Sequence, residues 1–87
     1  MSTRVQPEGV VFGDRLRELR TKRGESVRSL AEACAASYTY ISDLEHGRKL
    51  PSLTMLLRLA LALECDITEL VNVFSGRDLR KLLGKRS

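Results

Sequence analysis

From Phe12 to Phe74 the apolar residues recur at steps of three and four and never settle into alternation, which confines the chain to packed helices. Phe12, Leu16 and Leu19 fall at i, i+4, i+7. Arg20, Lys22 and Arg23 follow in the last turn, with Gly24 after them as a stop, so the pattern predicts a helix over about 12–23. Ser26 is a cap for a second helix, about 27–34, whose stripe is Val27, Leu30, Ala31 and Cys34. After Ala35-Ala36, Ser37 caps a third helix, about 38–46, carried by Ile41 and Leu44 and stopped at Gly47. Pro51-Ser52 opens a fourth helix, apolar on nearly every side, and a helix of that kind is expected to be buried nearly all round. Asp66 with Glu69 resembles a capping box before a fifth stripe of Ile67, Leu70, Val71 and Phe74. The expectation is an all-α domain of five short helices, with no strand and no internal repeat.

A chain of 87 residues has room for one core. Its divisions read as a flexible N-terminal arm (1–10), one domain (11–75) and a basic C-terminal tail (76–87) long enough for a short helix around Leu79, Leu82 and Leu83. The net charge of +4 belongs to that tail: Arg77, Arg80, Lys81, Lys85 and Arg86 stand against Asp78 alone, and residues 1–74 are neutral. A case for a nucleic-acid partner must therefore rest on where the charges lie, not on their sum.

Other classes fall away on composition. The first residues hold no apolar stretch of a signal peptide, and the longest apolar run, Leu59–Leu63, is far too short to span a membrane. Cys34 and Cys65 form no CxxC and sit at apolar helical positions, which favours reduced, buried thiols in a cytoplasmic chain. With one histidine, His46, there is no metal-ligand set. There is no Gly-rich phosphate loop and no nucleophile beside a base, so neither catalysis nor a cofactor is expected.

The third helix is apolar on one side only. Tyr38, Thr39, Ser42 and Asp43 share its outer face, and a short helix with such a face fits the major groove of DNA. Residues 12–74 resemble the Cro/CI, or XRE-type, helix-turn-helix family of lambda-repressor-like domains. The likeness is carried by Phe-Gly-Asp-Arg-Leu-Arg-Glu-Leu-Arg (12–20), Ser-Leu-Ala-Glu (29–32), Ser-Tyr-Thr-Tyr-Ile-Ser-Asp-Leu-Glu-His-Gly (37–47) and Pro-Ser-Leu-Thr-Met-Leu-Leu-Arg-Leu-Ala (51–60), in register. The chain departs from that pattern at Val27, where the family often has Gln, and at Ala35, where its turn usually has Gly.

The resemblance implies a DNA-binding transcriptional regulator. It makes the third helix the reading element, with Tyr38, Thr39, Ser42 and Asp43 as base-reading residues. Asp43 is ambiguous: it can accept from a cytosine amino group, or brace Arg48 or Lys49. Ser26, Arg28, Ser37, Tyr40, Arg48 and Lys49 are phosphate candidates; Tyr40 reads more simply as a half-buried packing ring, and a solvated loop pair is the lesser reading of Arg48 and Lys49. Arg20 and Glu45 match a pair that ties the first helix to the third.

The surplus apolar surface of the fourth and fifth helices points to a homodimer with Leu70, Val73 and Phe74 near the contact. Such a dimer would read an inverted repeat in double-stranded DNA. No small-molecule ligand is expected, since no effector domain follows Phe74. Controller proteins of restriction–modification systems, phage or plasmid repressors and antitoxins are all of this build, and Thr39-Tyr40-Ile41-Ser42 leans toward the controllers. The rival reading is a protein-interaction module of the same fold, such as an antitoxin-like partner-binding protein.

Overall fold

In the computed structural model, which describes residues 6–83, the chain forms six helices: α1 (Pro7–Lys22), α2 (Val27–Ala33), α3 (Tyr38–Glu45), α4 (Leu53–Leu63), α5 (Ile67–Val71) and α6 (Gly76–Leu83). No strand occurs among the described residues. The helix count exceeds the expected five because the tail residues Leu79, Leu82 and Leu83 fall within α6. The arm also differs from expectation. α1 starts at Pro7, with Gln6 as its extended N-cap, so residues 7–10 are helical. Proline is suited to a first helical position because its fixed φ is already helical and the missing N–H would have no partner there. Residues 1–5 of the expected arm and 84–87 of the expected tail lie outside the described residues.

Short side chains set the other boundaries. Ser26, Ser37 and Ser52 each accept a backbone N–H three residues on, at 2.9–3.0 Å, and so open α2, α3 and α4. At α2 the bond is reciprocated, with Ser29 Oγ accepting from the Ser26 N–H. The expected box at α5 does not form: Asp66 is the N-cap, but its side chain makes no capping bond. Gly24 and Gly47 close α1 and α3 with φ of +73° and +76°. Ala35 takes φ +57° in the α2–α3 turn, the conformation for which the family uses glycine. A Cβ there costs roughly 1–2 kcal/mol. The turn keeps its shape because the Ala36 N–H reaches back to the Ala31 carbonyl at 2.9 Å, and Arg58 of α4 donates to the Cys34 carbonyl at 3.4 Å.

The core gathers Phe12, Leu16 and Leu19 of α1, Leu30 and Ala31 of α2, Ile41 and Leu44 of α3, Leu59, Ala60 and Leu63 of α4, and Leu70 of α5, with Cys34 beside them. α1 crosses α3 at its small residues. A Cβ on Gly13 would lie 2.5 Å from the carbonyl oxygens of both Leu44 and Glu45, and one on Gly9 would meet the Gly47 carbonyl at 2.8 Å. Backbone thus rests on backbone at the end of α3.

α4 is not buried all round. Leu53, Leu57 and Leu61, at i, i+4, i+8, stand 68%, 54% and 79% exposed. The helix packs against α2 and α5, which cover two of its sides and leave the third bare. Leu70 needs a correction too: it is wholly buried in the core and cannot meet a partner, whereas Val73 and Phe74 are half-buried. A stripe pointing at the fifth helix's own domain leaves its central residue inside, so only the flanks remain for a contact.

Candidate nucleic-acid interface

α3 presents its first turn outward. Tyr38 and Thr39 are exposed, and Ser42 and Asp43, one turn on, are half-buried. Ser37 sits at the base of this turn with its oxygen committed to the Tyr40 N–H, which leaves its hydroxyl proton free to donate outward. Ser26 is equivalent at α2.

The cations cluster at both ends of this face. On the α2 side, the Arg28 guanidinium lies 5.5 Å from the Tyr38 ring centre, within the range of a cation–π contact. On the other side, in the loop after Gly47, Lys49 Nζ is 5.8 Å from the Tyr40 ring. Asp43 sits between the two loop cations: its Oδ1 is 3.3 Å from Arg48 Nη1 and its Oδ2 is 3.7 Å from Lys49 Nζ. Of the two roles open to Asp43, bracing is the one this structure contains. Tyr40 is a packing ring, half-buried against the core, and burial pushes its hydroxyl pKa up, so it stays a protonated donor. His46 caps the far end of α3. The 2.7 Å approach of Nδ1 to the Ser42 carbonyl puts a proton on that nitrogen, since a carbonyl only accepts.

Behind the face, α1 holds α3 in place. Glu45, 3% exposed, receives Arg20 through two bonds, Nε to Oε2 at 2.5 Å and Nη2 to Oε1 at 3.1 Å. That hydrogen-bonded carboxylate raises the Arg20 pKa further, against the cost of burial. Arg20 also donates to the Glu25 carbonyl at 2.7 Å, which ties in the approach to α2. Arg17 is a third member that sequence reasoning missed. Its Nη2 donates to the Glu45 carbonyl at 3.0 Å and its Nε lies 3.6 Å from Glu45 Oε1. A cation at the last carbonyl of α3 is favourably placed against the helix dipole. Gly13 was missed as well, although its place four residues after Gly9 was a visible sign of a close crossing.

The structure thus brings Tyr38, Thr39, Ser42, Asp43, Arg28, Arg48 and Lys49 onto one surface and places Arg20 and Glu45 beneath it. Both cysteines are free thiols, and burial pushes both pKa values up. Among the described residues no cluster of His, Cys, Asp or Glu can hold a metal ion, and no helix is long and apolar enough to cross a membrane.

Residues 11–73 match the family model of a helix-turn-helix domain. The chain belongs to the helix-turn-helix domain family. Within this family it is similar to the restriction–modification controller protein C.AhdI of Aeromonas hydrophila, at 41% identity and a TM-score of 0.71, over 72% of this chain and 96% of that one. It is also similar to the clp gene regulator ClgR of Corynebacterium glutamicum, at 33% identity and a TM-score of 0.72, over 79% and 90% of the two chains. Among curated proteins, it is 51% identical over 47 residues to the HTH-type transcriptional regulator DdrOP3 of Deinococcus deserti, which is 54% of this chain and 36% of that protein. It is 37% identical over 62 residues to the ImmF control region 10 kDa protein of Bacillus phage phi105, 71% and 64% of the two chains. The chain therefore spans about a third to two thirds of the length of these two curated relatives. The XRE-type resemblance and the all-α fold stand on these matches; the helix-turn-helix is α2, the Ala35 turn and α3.

Proposed function

We propose that this helix-turn-helix protein is a DNA-binding transcriptional regulator, of the controller type, that reads an inverted repeat as a homodimer. The observation that carries the reading is the surface of α3. An exposed, uncharged first turn is bracketed by Arg28 on one side and by Arg48 and Lys49 on the other. The charges that grip a backbone, on α2 and on the loop after Gly47, thus flank the polar groups of α3 that read bases, as groove binding requires. In this reading Tyr38, Thr39, Ser42 and Asp43 face base edges. Ser26, Arg28, Ser37, Tyr40, Arg48 and Lys49 face phosphates. Two copies of α3 enter successive major grooves about 34 Å apart.

The two groups should fail differently. An operator is first selected from random duplexes with the wild-type chain. Thr39→Ala then costs roughly 1–3 kcal/mol on the operator and little on a scrambled duplex, because it removes a base contact. Arg48→Ala weakens both duplexes and lowers the salt slope by about 0.9 for each phosphate no longer neutralised. Salt-titrated binding on both duplexes checks this. The reverse pattern, or no enrichment of any duplex, removes the DNA reading and favours a partner-binding role for the fold.

A further inference from the structure

Arg48 and Lys49, the two loop cations among those assigned to phosphate, already have an ion-pair partner without DNA. Both lie on Asp43, at 3.3 and 3.7 Å, and the Asp43 side chain is only 20% exposed. The three groups together present one net positive charge rather than two. Asp43 itself stands on the reading face, one turn after Thr39. A phosphate that takes Arg48 or Lys49 competes with this carboxylate for the cation and comes within reach of its negative charge.

We infer that Asp43 is a specificity gate, releasing Arg48 and Lys49 to the DNA backbone only where a base edge offers its carboxylate a donor. The inference rests on the DNA-binding reading above and names a determinant of its selectivity. An ionised carboxylate can only accept. In the major groove, guanine O6 and N7 and thymine O4 present lone pairs to it; the adenine amino group donates but stands beside the N7 lone pair, whereas the cytosine amino group donates with no acceptor of its own base beside it and is the usual partner of an aspartate. On a matched site the cytosine replaces the ion pairs that Asp43 gives up. On a mismatched site the carboxylate faces acceptors and phosphate, and holds its cations back. Wrong sites are rejected by repulsion as well as by missing contacts, which is how recognition surfaces gain selectivity beyond their attractive contacts.

Asp43→Asn tests this, because it removes the charge and keeps the shape. Binding is measured on the duplex selected by the wild-type chain and on a scrambled duplex of the same composition, across a salt titration. The gate requires the variant to bind the scrambled duplex about tenfold or more tightly than wild type. It also requires the operator-to-scrambled ratio to fall by at least that factor. The salt slope on scrambled DNA should steepen by about 0.9 for each cation freed. Asp43→Ser, with a different shape, gives the same change in slope, which separates charge from packing. Replacing each operator cytosine in turn should reveal one, per half-site, whose loss weakens wild type at least tenfold and the variant much less. If wild type selects an operator and Asp43→Asn keeps both its ratio and its slope, the gate is overturned and the DNA reading stands. If wild type selects no duplex, both are overturned.

Discussion

Glu45 is the one charged residue buried among the described residues, and it has two guanidinium partners. A carboxylate at 3% exposure is held chiefly by Arg20, which grips both its oxygens; removing one member of such a buried pair leaves a charge inside the protein that the longer Arg17 contact compensates only in part. We expect Arg20→Ala and Glu45→Ala each to cost about 3 kcal/mol in urea melts. The double variant should cost less than the two single losses together, because the second removal relieves the charge that the first one stranded. Additive losses would show that the two side chains act separately. The Arg20–Glu45 match was visible in the family resemblance alone. The part played by Arg17 was not, because its partner is 28 residues away and one of its contacts is to a backbone carbonyl, which no side-chain pattern records. On the reading face the sequence goes further. Periodicity places Tyr38, Thr39, Ser42 and Asp43 together, and bracing of Arg48 or Lys49 is one of the two readings of Asp43; that both cations reach it depends on how the loop turns after Gly47.

At the scale of the elements, the positions of α2, α3 and α4 were legible because serine caps mark their starts and apolar spacing marks their faces. α1 was harder. Its apolar stripe begins at Phe12, yet the helix begins at Pro7, since the intervening turn packs through Gly9 rather than through a large side chain. α4 misled for the opposite reason: its leucines fit a buried helix, but burial needs neighbours on every side, and a chain this small supplies them on only two. The α1–α3 crossing sets where the reading helix stands, and it depends on Gly13. Gly13→Ala would drive a methyl to 2.5 Å from two carbonyl oxygens, and neither helix can yield without shifting the other. We expect a loss of about 3 kcal/mol, at the upper end for overpacking. In a domain of this size that lowers the melting temperature by more than about 10 °C. A melting temperature unchanged from wild type would mean that α1 slides freely over α3, and the crossing would not be what positions the reading face.

For the whole molecule, the feature that bears on assembly is the bare side of α4. Three leucines, each more than half exposed and spaced one turn apart, form a continuous apolar strip on a chain whose other large side chains are mostly packed. Strips of this kind commonly mark a contact with another protein. A second copy is the occupant that the proposed function calls for, because one α3 reads only one half-site. A two-fold axis would place the same strip on both partners, with Leu70 left in each core and Val73 and Phe74 still half-exposed. Leu61 is the sharpest probe, since at 79% exposure it contributes little to the fold of the single chain. We expect Leu61→Glu to leave stability within about 0.5 kcal/mol, as for surface changes in general. The like charges it sets across the axis should shift sedimentation at tens of micromolar from dimer to monomer. Operator affinity should fall with it, while an isolated half-site is bound as by wild type. A variant that still sediments as a dimer would place the contact elsewhere on the molecule. A wild-type chain that sediments as a monomer would mean that the strip does not join two copies in solution, and reading an inverted repeat would then have to rely on assembly upon the DNA itself.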